Sequence, residues 1–83
     1  MKLPRDVSGE DLSKRLSCLG YAVARQTGSH MRLVRTGEPE HRVTIPAHDP
    51  LKVGTLNSIL KDVAVHNGYG RDELIRLLWK TRD

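Results

Sequence analysis

Two short turn-forming segments, Thr27-Gly28-Ser29 and Thr36-Gly37-Glu38-Pro39-Glu40, leave the chain around them little choice of architecture. Stretches joined by connections this short pair as antiparallel neighbours, because a parallel return needs a crossover of a dozen or more residues. The flanking stretches read as strands. His30-Met31-Arg32-Leu33-Val34-Arg35 places Met31 and Leu33 on one face and His30, Arg32 and Val34 on the other. Tyr21 to Gln26 is the strand before it. His41 to Ile45 is the strand after it, with Val43 and Ile45 turned inward, Arg42 and Thr44 outward, and Pro46 as its end.

Helices bracket this meander. Ser8 is placed to cap a first helix, with Asp11 three residues on as a capping-box variant and Glu10 and Asp11 at the positive end of the dipole. Leu12, Leu16 and Leu19 recur at helical spacing, and Gly20 stops the helix. One cysteine, Cys18, precludes an intramolecular disulfide and any cysteine-based zinc site; beside Leu16 and Leu19 it is expected to be partly buried. After Pro50, Leu56, Ile59, Leu60 and Val63 form the apolar stripe of a second helix, with Thr55 as its cap, fading near Asn67-Gly68. A short third helix is expected over about Arg71 to Trp79, burying Leu74, Leu77 and Leu78. The fold class is α+β. The order is α-β-β-β-α, a three-stranded antiparallel sheet with both main helices on one face, plus a short C-terminal helix; this is the arrangement of a double-stranded-RNA-binding-domain-like fold. Residues 1–83 are expected to form one domain with a small core, since a chain this size buries only about 60–65% of its unfolded surface.

Composition narrows the function. An apolar fraction of 37% and a charged fraction of 29% suit a soluble globular chain, and no apolar run is long enough to span a membrane. The opening Met1-Lys2-Leu3-Pro4-Arg5 has no apolar stretch behind it, so no signal peptide is expected and the expected compartment is the cytoplasm. Lys and Arg total 14 against 10 for Asp and Glu, a net charge of +4 that favours an anionic partner such as nucleic acid.

His30 is the residue with most chemistry. It follows Gly28-Ser29 at the mouth of a strand, it points away from the core, and Arg25, Arg32 and Arg35 are close in sequence. An imidazole exchanges protons near neutral pH, and arginines hold a phosphate and stabilise the charge that develops on it during phosphodiester cleavage. The alternative reading is a solvated histidine beside a turn. Lys52-Val53-Gly54-Thr55 opens the second helix, where free N–H groups, the helix dipole and the Lys52 ammonium suit a phosphate; the alternative is an ordinary helix start. His48, in the Pro46–Pro50 loop, is a possible assisting acid or base. The histidines show no H-x-x-x-H spacing, so no metal site is expected, nor any other cofactor. A phosphate-binding P-loop, a serine nucleophile elbow and a two-metal acidic cluster are likewise missing. Tyr21, Tyr69 and Trp79 are too few for a base-stacking platform, so phosphate charge and shape should dominate recognition.

Several of these segments, taken together, resemble the HicA-type (YcfA-like) toxins. They are Ser8-Gly9-Glu10-Asp11-Leu12, Leu19-Gly20-Tyr21, Arg25-Gln26-Thr27-Gly28-Ser29-His30, Val43-Thr44-Ile45-Pro46-Ala47-His48 and Leu51-Lys52-Val53-Gly54-Thr55-Leu56. They occur in the family's order and spacing over roughly residues 1–66. The resemblance implies a metal-independent endoribonuclease that cleaves mRNA and inhibits translation, with the histidine after Gly-Ser, His30, as the catalytic residue. It implies neutralisation by a HicB-type antitoxin protein. Gly28 and Ser29 are expected among the RNA-contacting residues, and with no apolar span no membrane partner is expected. Residues 68–83 extend past the shortest members, as an enlarged core or a partner surface. Two other classes remain open: a non-catalytic RNA-binding module on the same basic surface, and a protein-interaction subunit.

Overall fold

A computed structural model describes residues 3–37 and 39–79. Helix α1 (Gly9–Leu16) starts as its sequence dictates: Ser8 accepts a hydrogen bond from the Asp11 amide at 3.0 Å, Glu10 and Asp11 occupy the first turn, and Lys14 and Arg15 the last. Leu12 and Leu16 are buried. Beyond Leu16 the helix tightens into a 3₁₀ turn, Ser17–Leu19, closed by Gly20 in the left-handed region at φ +93°. That tightening rotates Cys18 outward, so it is exposed rather than partly buried, and leaves Leu19 only half-buried against the core.

Strands β1 (Tyr21–Thr27), β2 (His30–Arg35) and β3 (His41–Pro46) form one antiparallel sheet in the order β1-β2-β3. Tyr21, Met31, Leu33, Val43 and Ile45 line its inner face and are buried. Helix α1 lies across β1 and β3, and α2 (Val53–Asn67) lies against β3, so both helices cover the same face. The α+β layout and element order are those expected from the sequence. The stripe Leu56, Ile59, Leu60 and Val63 is buried throughout. Lys52, not Thr55, is the N-cap of α2; no side chain caps that end, and Thr55 sits inside the first turn. Gly68 at φ +74° ends the helix. Its amide reaches the Val65 carbonyl and the Tyr69 amide the Ala64 carbonyl, a Schellman closure.

Helix α3 (Arg71–Leu78) packs on α2. Leu74, Ile75 and Leu78 enter the core, whereas Leu77, expected inside, is 37% exposed. The inward stripe runs i, i+1, i+4 from Leu74, which leaves Leu77 on its shoulder. The chain then folds back on α1: Arg15 donates to the Leu78 carbonyl at 2.9 Å and its guanidinium lies 5.1 Å from the centre of the Trp79 ring. Residues 68–79 therefore enlarge the core. One close approach locks α1 to the sheet. A methyl group on Gly9 would lie 1.9 Å from the Pro46 carbonyl oxygen, so only glycine fits there.

Candidate active site

The outer face of the sheet carries no helix among the described residues, and the candidate side chains stand on it. Pairing of β2 with β3 sets His30 opposite Pro46 and Arg32 opposite Thr44. On the other side, β1 sets Thr27 opposite His30 and Arg25 opposite Arg32, after a bulge between Val23 and Arg25. The bulge is decisive. Strict alternation from inward-facing Tyr21 would turn Arg25 and Thr27 inward; one extra residue, Ala24, reverses the remainder of the strand. Two rows result, Thr27–His30–Pro46 and Arg25–Arg32–Thr44.

Arg25, Thr27, His30, Arg32 and Thr44 surround an open depression of about 140 Å³. His30, Arg25 and Arg32 are all exposed. Like charges directly opposite each other in a sheet repel. Among the described residues neither arginine forms an ion pair, so that repulsion is left standing. The lining is two guanidinium groups, two hydroxyls and an imidazole, with no carboxylate, a donor set that complements a tetrahedral oxyanion in charge. The hairpin below it is set by Gly28 at φ +57°, followed by Ser29, the glycine-first order of a II′ turn. A methyl on Gly28 would meet nothing within 4 Å, so the turn leaves open space beside His30. The Ser29 carbonyl accepts from the Ala47 amide at 2.6 Å, tying the loop after β3 to the turn.

Not every candidate gathers here. Arg35 does not. It pairs in register with Tyr21 and His41 at the far end of β2, on the opposite face, and its Nε donates to the Leu19 carbonyl at 2.9 Å. It lies five positions after His30 along the strand, an odd offset, which fixes the opposite face. Lys52 is exposed at the N-cap of α2 and does not line the depression; His48 is exposed in the loop and does not line it either. Thr27 and Thr44, which sequence reading passed over, do line it. Their signal was there for Thr44, an outward residue one strand from Arg32, but Thr27 depends on the unseen bulge.

A second polar cluster lies at the other end of the sheet. Tyr21, 2% exposed, accepts from Asn67 Nδ2 at 3.1 Å and lies 2.6 Å from His41 Nδ1. On its other side the His41 ring places Nε2 3.4 Å from Asp62 Oδ2. His66 stacks on His41 with ring centres 4.1 Å apart. Burial pushes the Tyr21 hydroxyl above its ordinary value, against the opposing pull of the Asn67 hydrogen bond. This cluster ties α2 to β1 and β3 beneath the sheet.

Among the described residues no helix is long and apolar enough to cross a membrane. Comparison with curated proteins and with solved structures gives no match. A family model, described as the HicA toxin of bacterial toxin–antitoxin systems, matches residues 9–65, from the first residue of α1 to the last turn of α2. That span holds all three strands and every residue of the depression, and covers more than half of the chain. On that match the chain belongs to the HicA toxin family.

Proposed function

We propose that this toxin is a metal-independent endoribonuclease that cleaves mRNA in the cytoplasm, inhibits translation and is neutralised by a cognate HicB-type antitoxin. The observation that carries the reading is the exposed imidazole of His30 beside two arginines that have no acidic partner. His30 exchanges the proton that strand scission requires. Arg25 and Arg32 hold the non-bridging phosphate oxygens, where charge accumulates in the transition state. Thr27 and Thr44 add hydroxyl donors, and Gly28 and Ser29 keep the approach open. Lys52 and the uncapped start of α2 take a neighbouring phosphate of the same strand. The lining offers a divalent cation no carboxylate, which supports acid–base chemistry by side chains alone.

The test is incubation of the purified protein with RNA in the presence of EDTA, beside His30→Ala. The wild type is expected to cut and the variant to lose about 10²–10⁴-fold in rate. Because the His30 side chain is exposed, the variant should melt within about 0.5 kcal/mol of wild type. Full cleavage by the variant overturns the reading. Binding without cleavage by the wild type makes this a holding module instead. Neither binding nor cleavage leaves an interaction subunit. Co-expression of a cognate HicB-type protein is expected to restore growth in cells that make the toxin.

A further inference from the structure

Scission through the ribose 2′ oxygen needs two proton transfers on opposite sides of phosphorus. One group takes the 2′ hydroxyl proton, and another delivers a proton to the departing 5′ oxygen. His30 is a single imidazole. Among its neighbours, arginines hold their protons too tightly to give them up, and threonine hydroxyls are too weakly acidic. His41 and His66 are stacked on each other in the other cluster. That leaves His48.

The backbone brings His48 to the right place. The β2–β3 ladder continues one bond past Pro46, with the Ala47 amide on the Ser29 carbonyl. Alternation persists too: Ala47 packs half-buried against the core while His48 is exposed. The carbonyls agree, since Pro46 and His48 both turn theirs away from β2 toward Gly9. The Pro46 oxygen occupies the space of a Gly9 side chain, and the His48 oxygen accepts from the Gly9 amide at 2.9 Å. Continued by two residues, the register places His48 on the outer-face side of the strand next to His30, diagonal to it and beside the depression rather than in its lining. Diagonal cross-strand neighbours lie roughly 7–8 Å apart at the backbone, within reach for two imidazoles to flank one phosphate. The loop is pinned at its far end as well, the Leu51 amide donating to the Val7 carbonyl at 2.8 Å, so His48 is presented from a fixed backbone.

Resting on the nuclease reading, we infer that His48 is the general acid of the same site, paired with His30 as general base. His30 Nε2 or Nδ1 accepts the 2′ hydroxyl proton as the 2′ oxygen bonds to phosphorus. The bond from phosphorus to the 5′ oxygen breaks, and the proton on the His48 imidazolium moves to that oxygen. The products are a 2′,3′-cyclic phosphate and a 5′ hydroxyl, with no other reactant consumed.

The experiment uses an RNA oligonucleotide that the wild type cuts, remade with sulfur in place of the 5′ bridging oxygen at the mapped position. A thiolate leaves without being protonated, so it bypasses a general acid and nothing else. His48→Ala is expected to slow cleavage of the oxygen substrate by about 10²–10⁴-fold and of the sulfur substrate by less than about tenfold, while His30→Ala is slow on both. Wild-type cutting of the oxygen substrate by His48→Ala overturns the inference, as does equal loss on both substrates in a variant whose melting temperature is unchanged. Rescue of His30→Ala alone by sulfur reverses the two roles and also overturns it. Those outcomes leave the nuclease reading intact. A wild type that cuts neither substrate ends both.

Discussion

Single side chains divide here into those that hold the fold and those that face solvent with nothing to hold. Tyr21 belongs to the first group. Tyr21→Phe removes the hydroxyl between Asn67 and His41, and should cost about 1–2 kcal/mol in chemical denaturation while leaving RNA cleavage intact. It should also change the alkaline limb of stability. Burial raises the Tyr21 titration above its ordinary 10.0, so in wild type the contribution is complete below that pH and fades as pH rises through the native value. Tyr21→Phe should flatten this decline; an unchanged slope would show that another group sets it. No pattern in the sequence announces the cluster, because its members lie 20 and 46 positions apart. His30 was legible for the opposite reason. Its position one residue after a glycine turn and its phase against Met31 and Leu33 fix its direction locally.

Elements report what local patterns can and cannot carry. The helices were readable from Ser8, Gly20, Gly68 and their leucine spacing, since a cap and a stripe are written within a few residues. Leu77 was misread because Leu74, Ile75, Leu77 and Leu78 offer two overlapping stripes, and only the position of α2 selects one. The β1 bulge escaped notice for a similar reason: Tyr21 to Thr27 contains no glycine or proline to mark Ala24. Two glycines separate conformation from space. Gly28→Ala should cost about 1–2 kcal/mol, through backbone strain at positive φ alone. Gly9→Ala drives a methyl into a backbone carbonyl and should cost about 3 kcal/mol or more, or prevent folding. Thermal melts of the two variants rank them, and equal losses would contradict the close packing of α1 on β3. Loss of Gly9 should also shift the loop that carries His48.

For the molecule as a whole, the two faces of one sheet have separate duties. Every buried strand residue points at the helices, and the candidate site stands on the other side. The net charge of +4 says nothing of where charge gathers; it is the pairing of strands that sets Arg25 and Arg32 beside His30 and sends Arg35 elsewhere. Affinity for RNA should fall steeply between about 50 and 200 mM salt as displaced counterions are regained, and Arg25→Ala or Arg32→Ala should each lower the slope of log affinity against log salt by about one. A flat response would remove the outer face from RNA contact. The arginine pair across β1 and β2 also couples ligand binding to stability. Arg25 and Arg32 are set opposite each other with no acidic partner among the described residues, so an anion held there should raise the melting temperature, because it binds the folded chain and not the unfolded one.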